Sequence, residues 1–188
     1  CGLVGLKPTR GLLSTRGVVP ACASLDCVSV FAANAVDAAA VFEVAHGFDP
    51  ADPFSRRGGT QRGALPERFR FGVHADALLE FFGNHAYPAA FDRALTRLEA
   101  LGGERVEIDF APFAEAARLL YEGPWLAERF LAIEPFINER PDALHPITCR
   151  IIAAGSGGRA ADVFRAGYRL AALRRAAENQ LARVDVIV

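Results

Sequence analysis

Residues 119–129 read Leu-Leu-Tyr-Glu-Gly-Pro-Trp-Leu-Ala-Glu-Arg and contain the side chains best suited to gripping a small anion. Tyr121 closes one predicted helix and Arg129 falls in the second turn of the next, so the Gly123-Pro124 corner can turn a phenol and a guanidinium toward a common space. Arginine offers a planar fork matched to a carboxylate, and tyrosine adds a directional donor. On the residues alone, pairing of Arg129 with a protein acid such as Glu122 is the simpler alternative. Trp125, the sole tryptophan, can equally anchor the corner in a core.

Other chemistry-bearing groups are weaker. Gly155-Ser156-Gly157-Gly158-Arg159 precedes a helix, as a phosphate-cradling loop would, but it lacks the Lys-Ser/Thr end of a P-loop and the spacing of a dinucleotide fingerprint. A flexible connection is expected there, and Ser156 has no identifiable base to make it a nucleophile. His46, His74, His85 and His145 are scattered without a metal-ligand period and are expected at the surface or at helix ends. Glu107 and Asp109 share one side of a predicted strand, opposite Val106 and Ile108, which solvent exposure explains. Cys1, Cys22, Cys27 and Cys149 have no CxxC spacing, so free, mostly buried thiols in a reducing compartment are expected. No Ser/His/Asp arrangement can be assembled.

The elements that would position these groups follow from periodicity and turn chemistry. A turn is expected at Lys7-Pro8-Thr9-Arg10-Gly11, a strand over 27–31, and an Ala-rich helix over 37–45 capped by Asn34 or Asp37 and ended by His46-Gly47. Residues 48–66, rich in Pro and Gly, read as a long surface loop of the kind that is often functional or mobile. Alternation predicts strands over 68–73 and 105–110. Between them, Phe91, Leu95, Leu98 and Leu101 mark a helical stripe over 89–101, stopped by Gly102-Gly103. Helices are predicted over 113–121, 124–136, 147–153 and 162–184. The last has a broad apolar face of Val163, Phe164, Tyr168, Leu170, Leu173, Ala177 and Leu181. Strand, helix, strand with short joints points to an α/β layer architecture.

Composition narrows the class. The chain has 188 residues, 52% of them hydrophobic, with 21 basic and 22 acidic side chains. Fourteen Phe and a positive mean hydropathy exclude intrinsic disorder. A near-zero charge with scattered basic residues removes the usual nucleic-acid signature, and no apolar run approaches the length of a membrane span. Lys7 is the only lysine among the 21 basic residues. The chain contains no Met, opens on an apolar run at Cys1–Leu6 and closes on the β-branched run Val184–Val188. We expect an internal segment of a longer protein, with each terminal run a buried strand whose sheet partners can lie outside the segment.

The first fifty residues carry a family likeness. Gly5-Leu6-Lys7-Pro8-Thr9-Arg10-Gly11, then Ser14-Thr15-Arg16-Gly17-Val18-Val19-Pro20, then Ser24-Leu25-Asp26, resemble the amidase signature family just after its nucleophile region. Within it the closer resemblance is to the allophanate hydrolase branch. That likeness rests on residues 12–21, on Ser24 to Ala32, on Asp49-Pro50-Ala51-Asp52-Pro53-Phe54-Ser55-Arg56, and on Leu120-Tyr121-Glu122-Gly123-Pro124-Trp125 leading to Glu128-Arg129. Many other amidases carry Gly-Pro where this chain has Ser29-Val30, which favours the allophanate hydrolase branch over the tRNA-dependent amidotransferase branch. The likeness runs to Val188, so residues 1–188 are expected to form the central to C-terminal part of one amidase domain.

What the resemblance implies is an α/β amidase-signature fold, with a mixed β-sheet covered by helices. It implies hydrolysis of a linear amide by a Ser, cis-Ser, Lys triad, with no metal and no organic cofactor. The triad residues precede the motif with which this chain begins. Lys7 and the serines here therefore do not match them, and the segment alone is expected to be inactive. Tyr121 and Arg129 match the substrate-binding pair. The expected substrate is allophanate in urea degradation, the expected partner is the missing N-terminal part of the domain, and the expected location is cytoplasmic. Homodimer formation is left open. Another small-amide amidase of the same family, or a non-catalytic remnant, are the rival readings.

Overall fold

The computed structural model describes residues 2–58, 66–75 and 79–188, and statements below refer to these. The chain divides into two compact units, Cys1–Arg62 with Pro124–Gly158, and Gly63–Gly123 with Arg159–Val188.

In the first unit, β1 (Val4–Leu6) pairs antiparallel with β2 (Val30–Ala32), in the register Val4 to Ala32 and Leu6 to Val30. β2 lies later than the predicted 27–31 because only three of its residues find a partner on the three-residue β1. The opening run is not buried as expected: Val4 and Leu6 are half-buried and Leu3 is exposed, since a two-stranded ribbon has too few neighbours to enclose its side chains. Helix α1 (Ala35–Ala45) begins at Asn34, whose side-chain oxygen accepts the Asp37 N–H at 2.9 Å, so Asn34 and not Asp37 is the cap. His46 ends it, its N–H bonded to the Phe42 carbonyl at 2.9 Å. Helix α4 (Trp125–Glu139) runs past the predicted end at 136, with non-helical angles at Ile133 and Pro135 inside it. Proline removes a helical donor and crowds the preceding turn, which accounts for a kink rather than a stop. A 3₁₀ turn at Pro141–Ala143, helix α5 (Pro146–Ala153) and a second 3₁₀ turn at Ala154–Gly157 follow. Leu13, Cys22, Ala38 and Ile137 are buried in this unit.

The second unit is built on an all-parallel three-stranded sheet in the order β4 (Gly103–Ile108), β3 (Phe69–His74), β5 (Val186–Ile187). Parallel neighbours need a crossover, supplied between β3 and β4 by α2 (Tyr87–Ala100). Phe69, Phe71, Val73 and Leu95 form its core, with Phe91 and Leu98 packed against them. Alternation predicted this face; Arg70 is exposed between the buried Phe69 and Phe71, and its backbone N–H donates to the Asp185 carboxylate at 2.7 Å. Gly102 sits at φ 93°, and a Cβ there would lie 2.0 Å from the Glu67 carbonyl oxygen, so only glycine can end α2 in this way. β4 begins and ends two residues before the predicted span. Asp109 leaves the strand to accept the Ala111 N–H at 2.9 Å and start α3 (Ala111–Glu122). Glu107 and Asp109 are exposed, as expected.

Helix α6 (Ala160–Leu181) packs against α3, joined by Arg169, which grips both carboxylate oxygens of Glu115 at 2.6 Å. Its buried stripe is Ala166 and Leu173, with Leu170 and Ala177 half-buried. The predicted face was too broad: Val163, Phe164 and Tyr168 are exposed, because one partner helix covers only a narrow arc. β5 is two residues long, half-buried at most, and pairs on one side with β3.

Candidate functional site

Tyr121 stands in the last turn of α3 with 63% of its surface exposed. Gly123 caps that helix, its N–H bonded to the Leu119 carbonyl at 2.9 Å. Pro124 serves as the N-cap of α4 instead of entering its first turn, because its carbonyl already accepts the Ala127 N–H at 2.9 Å. Arg129 lies in the second turn of α4, half-buried, with its Nε sealed from solvent. Tyr121 belongs to the second unit and Arg129 to the first.

The start of α4 is fastened from two sides within the first unit. On one side, the Asp26 carboxylate accepts the backbone N–H groups of Ala21 at 3.0 Å and Cys22 at 3.1 Å. The Cys22 carbonyl accepts from Leu25 and Asp26, both at 2.8 Å, so residues 21–26 form a closed turn. Glu128 then holds this turn at Ser24, accepting from its N–H at 2.6 Å and from its hydroxyl at 2.7 Å. The buried Cys22 thiol lies 3.7 Å from the Trp125 carbonyl oxygen. A carboxylate in the first turn also suits the positive end of the helix dipole. On the other side, a Cβ on Gly155 would lie 2.1 Å from the Leu126 carbonyl oxygen, so the turn meets α4 backbone to backbone.

Gly155 therefore has a packing role. Residues 154–157 form a 3₁₀ turn with the Ser156 hydroxyl bonded to the Ala153 carbonyl at 2.8 Å, rather than a flexible connection. Arg159 turns to Asp162, which also receives Arg165. These guanidiniums, Arg159 first, lower the Asp162 pKa from 3.8 to about 2.

The early part of the predicted loop is likewise ordered. Asp52, only 6% exposed, accepts the Thr15 N–H at 2.7 Å, the Ser14 hydroxyl at 3.0 Å and the Phe54 N–H at 2.8 Å. Asp49 takes the Ser14 hydroxyl at 2.9 Å, the Ala51 N–H at 2.9 Å and the Arg16 guanidinium at 3.1 Å. Backbone donors are the main reason that both carboxyls titrate below their usual 3.8: Thr15 and Phe54 for Asp52, Ala51 for Asp49. Residues 48–56 are thus clipped to residues 11–16, where Arg56 also donates its N–H to the Gly11 carbonyl at 2.9 Å. Residues 59–65 of the predicted loop lie outside the described residues, as does Cys1.

His46 ends α1, His145 precedes α5 and His85 is exposed, as expected, whereas His74 is neither at the surface nor at a helix end: it closes β3 half-buried against the Phe110 ring, because the strand carries it to the edge of the core. Among the described residues no group of three or more His, Cys, Asp or Glu is arranged to hold a metal ion. Cys22 is buried, whereas Cys27 and Cys149 are half-buried; all three are free thiols. No described helix is long and apolar enough to cross a membrane. Ser24, Glu128, Asp49 and Asp52 all lie in segments that carried the family likeness, but their pairing spans sequence distances that no local pattern reveals.

With helices and a parallel sheet in one unit and an antiparallel strand pair in the other, this is an α/β protein of the amidase-signature fold. Residues 1–188 match the Amidase family, and the chain belongs to it. It is 35% identical to urea amidolyase of Saccharomyces cerevisiae over 98% of this chain and 10% of that protein. The solved structure of Kluyveromyces lactis allophanate hydrolase superposes with a TM-score of 0.93 at 36% identity, over 99% of this chain and 31% of that one. A glutamyl-tRNA(Gln) amidotransferase subunit of a Synechococcus species is 39% identical over 84% of this chain and 33% of that protein. The chain thus spans between a tenth and a third of the length of these relatives.

Proposed function

We propose that residues 1–188 are the central to C-terminal part of a single amidase domain that hydrolyses allophanate in urea degradation, with Tyr121 and Arg129 holding the substrate. The observation that carries this is the TM-score of 0.93 and 36% identity to K. lactis allophanate hydrolase over 99% of the chain. The Ser29-Val30 pair, in place of Gly-Pro, adds to it against the amidotransferase branch.

Allophanate carries a carboxylate at one end and a urea-like amide at the other. A guanidinium fork answers the carboxylate and a phenol orients the amide, which supplies the positioning part of catalysis. The chemical step belongs to a Ser, cis-Ser, Lys triad outside this chain. Lysine deprotonates the relay serine, the relay serine activates the nucleophile, and backbone N–H groups hold the oxyanion. The amide nitrogen leaves as ammonia, water releases the acyl group, and the carboxylated carbamate loses carbon dioxide. A cytoplasmic location suits the free thiols of Cys22, Cys27 and Cys149.

Substrate profiling of the complete enzyme tests this. We expect kcat/KM for allophanate to exceed that for malonamate, acetamide and glutamine by at least about 100-fold, because a site built to pair particular polar groups rejects analogues that lack or misplace them. Comparable values for any of the three would contradict the assignment.

A further inference from the structure

We propose that Glu128 is a positioning residue for substrate binding: by holding Ser24 with both carboxylate oxygens it fixes the rotation of the start of α4 and so aims Arg129. This rests on the assignment of Arg129 to the substrate carboxylate.

The contact is a two-point clamp on one residue. Ser24 N lies 2.6 Å from one carboxylate oxygen and Ser24 Oγ 2.7 Å from the other. A single hydrogen bond would tether α4 yet let it roll, whereas two bonds to two oxygens define a plane and resist rotation. The anchor at the other end is itself rigid, since Asp26 closes the 21–26 turn through Ala21 and Cys22 and the Cys22 carbonyl takes two further N–H groups. Gly155 also meets the Leu126 carbonyl with no room for a Cβ, a second close contact on the same turn of the helix.

Arg129 is the next residue along. Neighbouring side chains on a helix diverge by about 100°, so Glu128 and Arg129 do not face each other. Glu128 commits both oxygens to Ser24, and its coupling to Arg129 runs through the helix backbone they share. The lever is short and sensitive. A roll of about 10° moves a side-chain tip roughly 6 Å from the axis by about 1 Å, and a displacement of that size is enough to degrade a bidentate contact.

The test uses the complete enzyme and allophanate. Glu128→Ala is expected to raise KM about tenfold with kcat within about twofold. Glu128→Gln keeps an oxygen for the Ser24 N–H and an N–H for its Oγ, and should hold KM within about threefold of the parent. Glu128→Ala in an Arg129→Lys background should add less than about twofold, because there is no fork left to aim. Should Glu128→Ala fail to fold, Ser24→Ala, which removes only the hydroxyl bond, is measured in both backgrounds with the same non-additivity expected. Loss of thermal stability with KM unchanged, or a full multiplicative effect on top of Arg129→Lys, would overturn the positioning role while leaving the Arg129 assignment standing. An Arg129→Lys enzyme with an unchanged KM would overturn both.

Discussion

Thr15 donates its backbone N–H to the Asp52 carboxylate at 2.7 Å, across 37 positions of sequence. This bond, with those of Ser14 and Phe54 to the same side chain, converts a Pro- and Gly-rich stretch into a strap fixed on residues 11–16. Asp52→Ala would leave the Thr15 and Phe54 donors without an acceptor at a residue only 6% exposed. We expect the melting temperature to fall by roughly 5 °C, and by more than for Asp49→Ala, whose side chain is more open to water. Differential scanning calorimetry on the two variants checks the order.

Gly155 and Gly157 make a paired comparison within one 3₁₀ turn. A Cβ at 155 would meet the Leu126 carbonyl at 2.1 Å, while one at 157 meets nothing within 4 Å. Gly155→Ala should therefore destabilise clearly, by several degrees in melting temperature, and Gly157→Ala should be close to neutral. Equal effects would mean that the turn does not press on α4.

Asp162 should titrate far below an ordinary carboxyl. Its pKa falls from 3.8 to about 2, chiefly through the Arg159 bond and then that of Arg165. A depressed folded value stabilises the fold fully above the unfolded pKa, and the contribution is lost as pH falls from about 4 toward 2. A carboxyl-carbon NMR titration is expected to show a midpoint near 2 for Asp162, returning toward 3.8 in Arg159→Ala. Asp49 and Asp52 are lowered in the same direction, so the strap should also loosen only in acid.

The Arg169 to Glu115 fork, by contrast, should matter little. It joins α3 to α6 through two 2.6 Å bonds, but the side chains are 53% and 34% exposed, where water and salt screen such pairs. Arg169→Lys should change the melting temperature by under about 2 °C, with the difference vanishing at high salt.

What was legible in the sequence follows the range of the forces involved. The alternation of Arg68 to Val73 and the stripe of Phe91, Leu95 and Leu98 report burial residue by residue. The β3 strand, α2 and their shared core were therefore readable from local pattern. The exposed half of α6 was not, since Phe164 and Tyr168 look like core residues until it is known that one helix covers that side. The Ser24 to Glu128 clamp spans 104 positions and the Asp52 bonds to Ser14 and Thr15 span 38 and 37. Each involves polar residues that are ordinary in isolation. The family resemblance marked the segments that contain them, but gave no reason for any one side chain. Tyr121 and Arg129 came from that resemblance together with the chemistry of a phenol and a fork.

The central claim is that Arg129 holds the substrate carboxylate. It is tested most directly by Arg129→Lys in the complete enzyme, which preserves the charge and removes the planar pair of donors. A KM for allophanate raised about tenfold or more, at nearly unchanged melting temperature, is the result predicted. A KM within about twofold of the parent would contradict it.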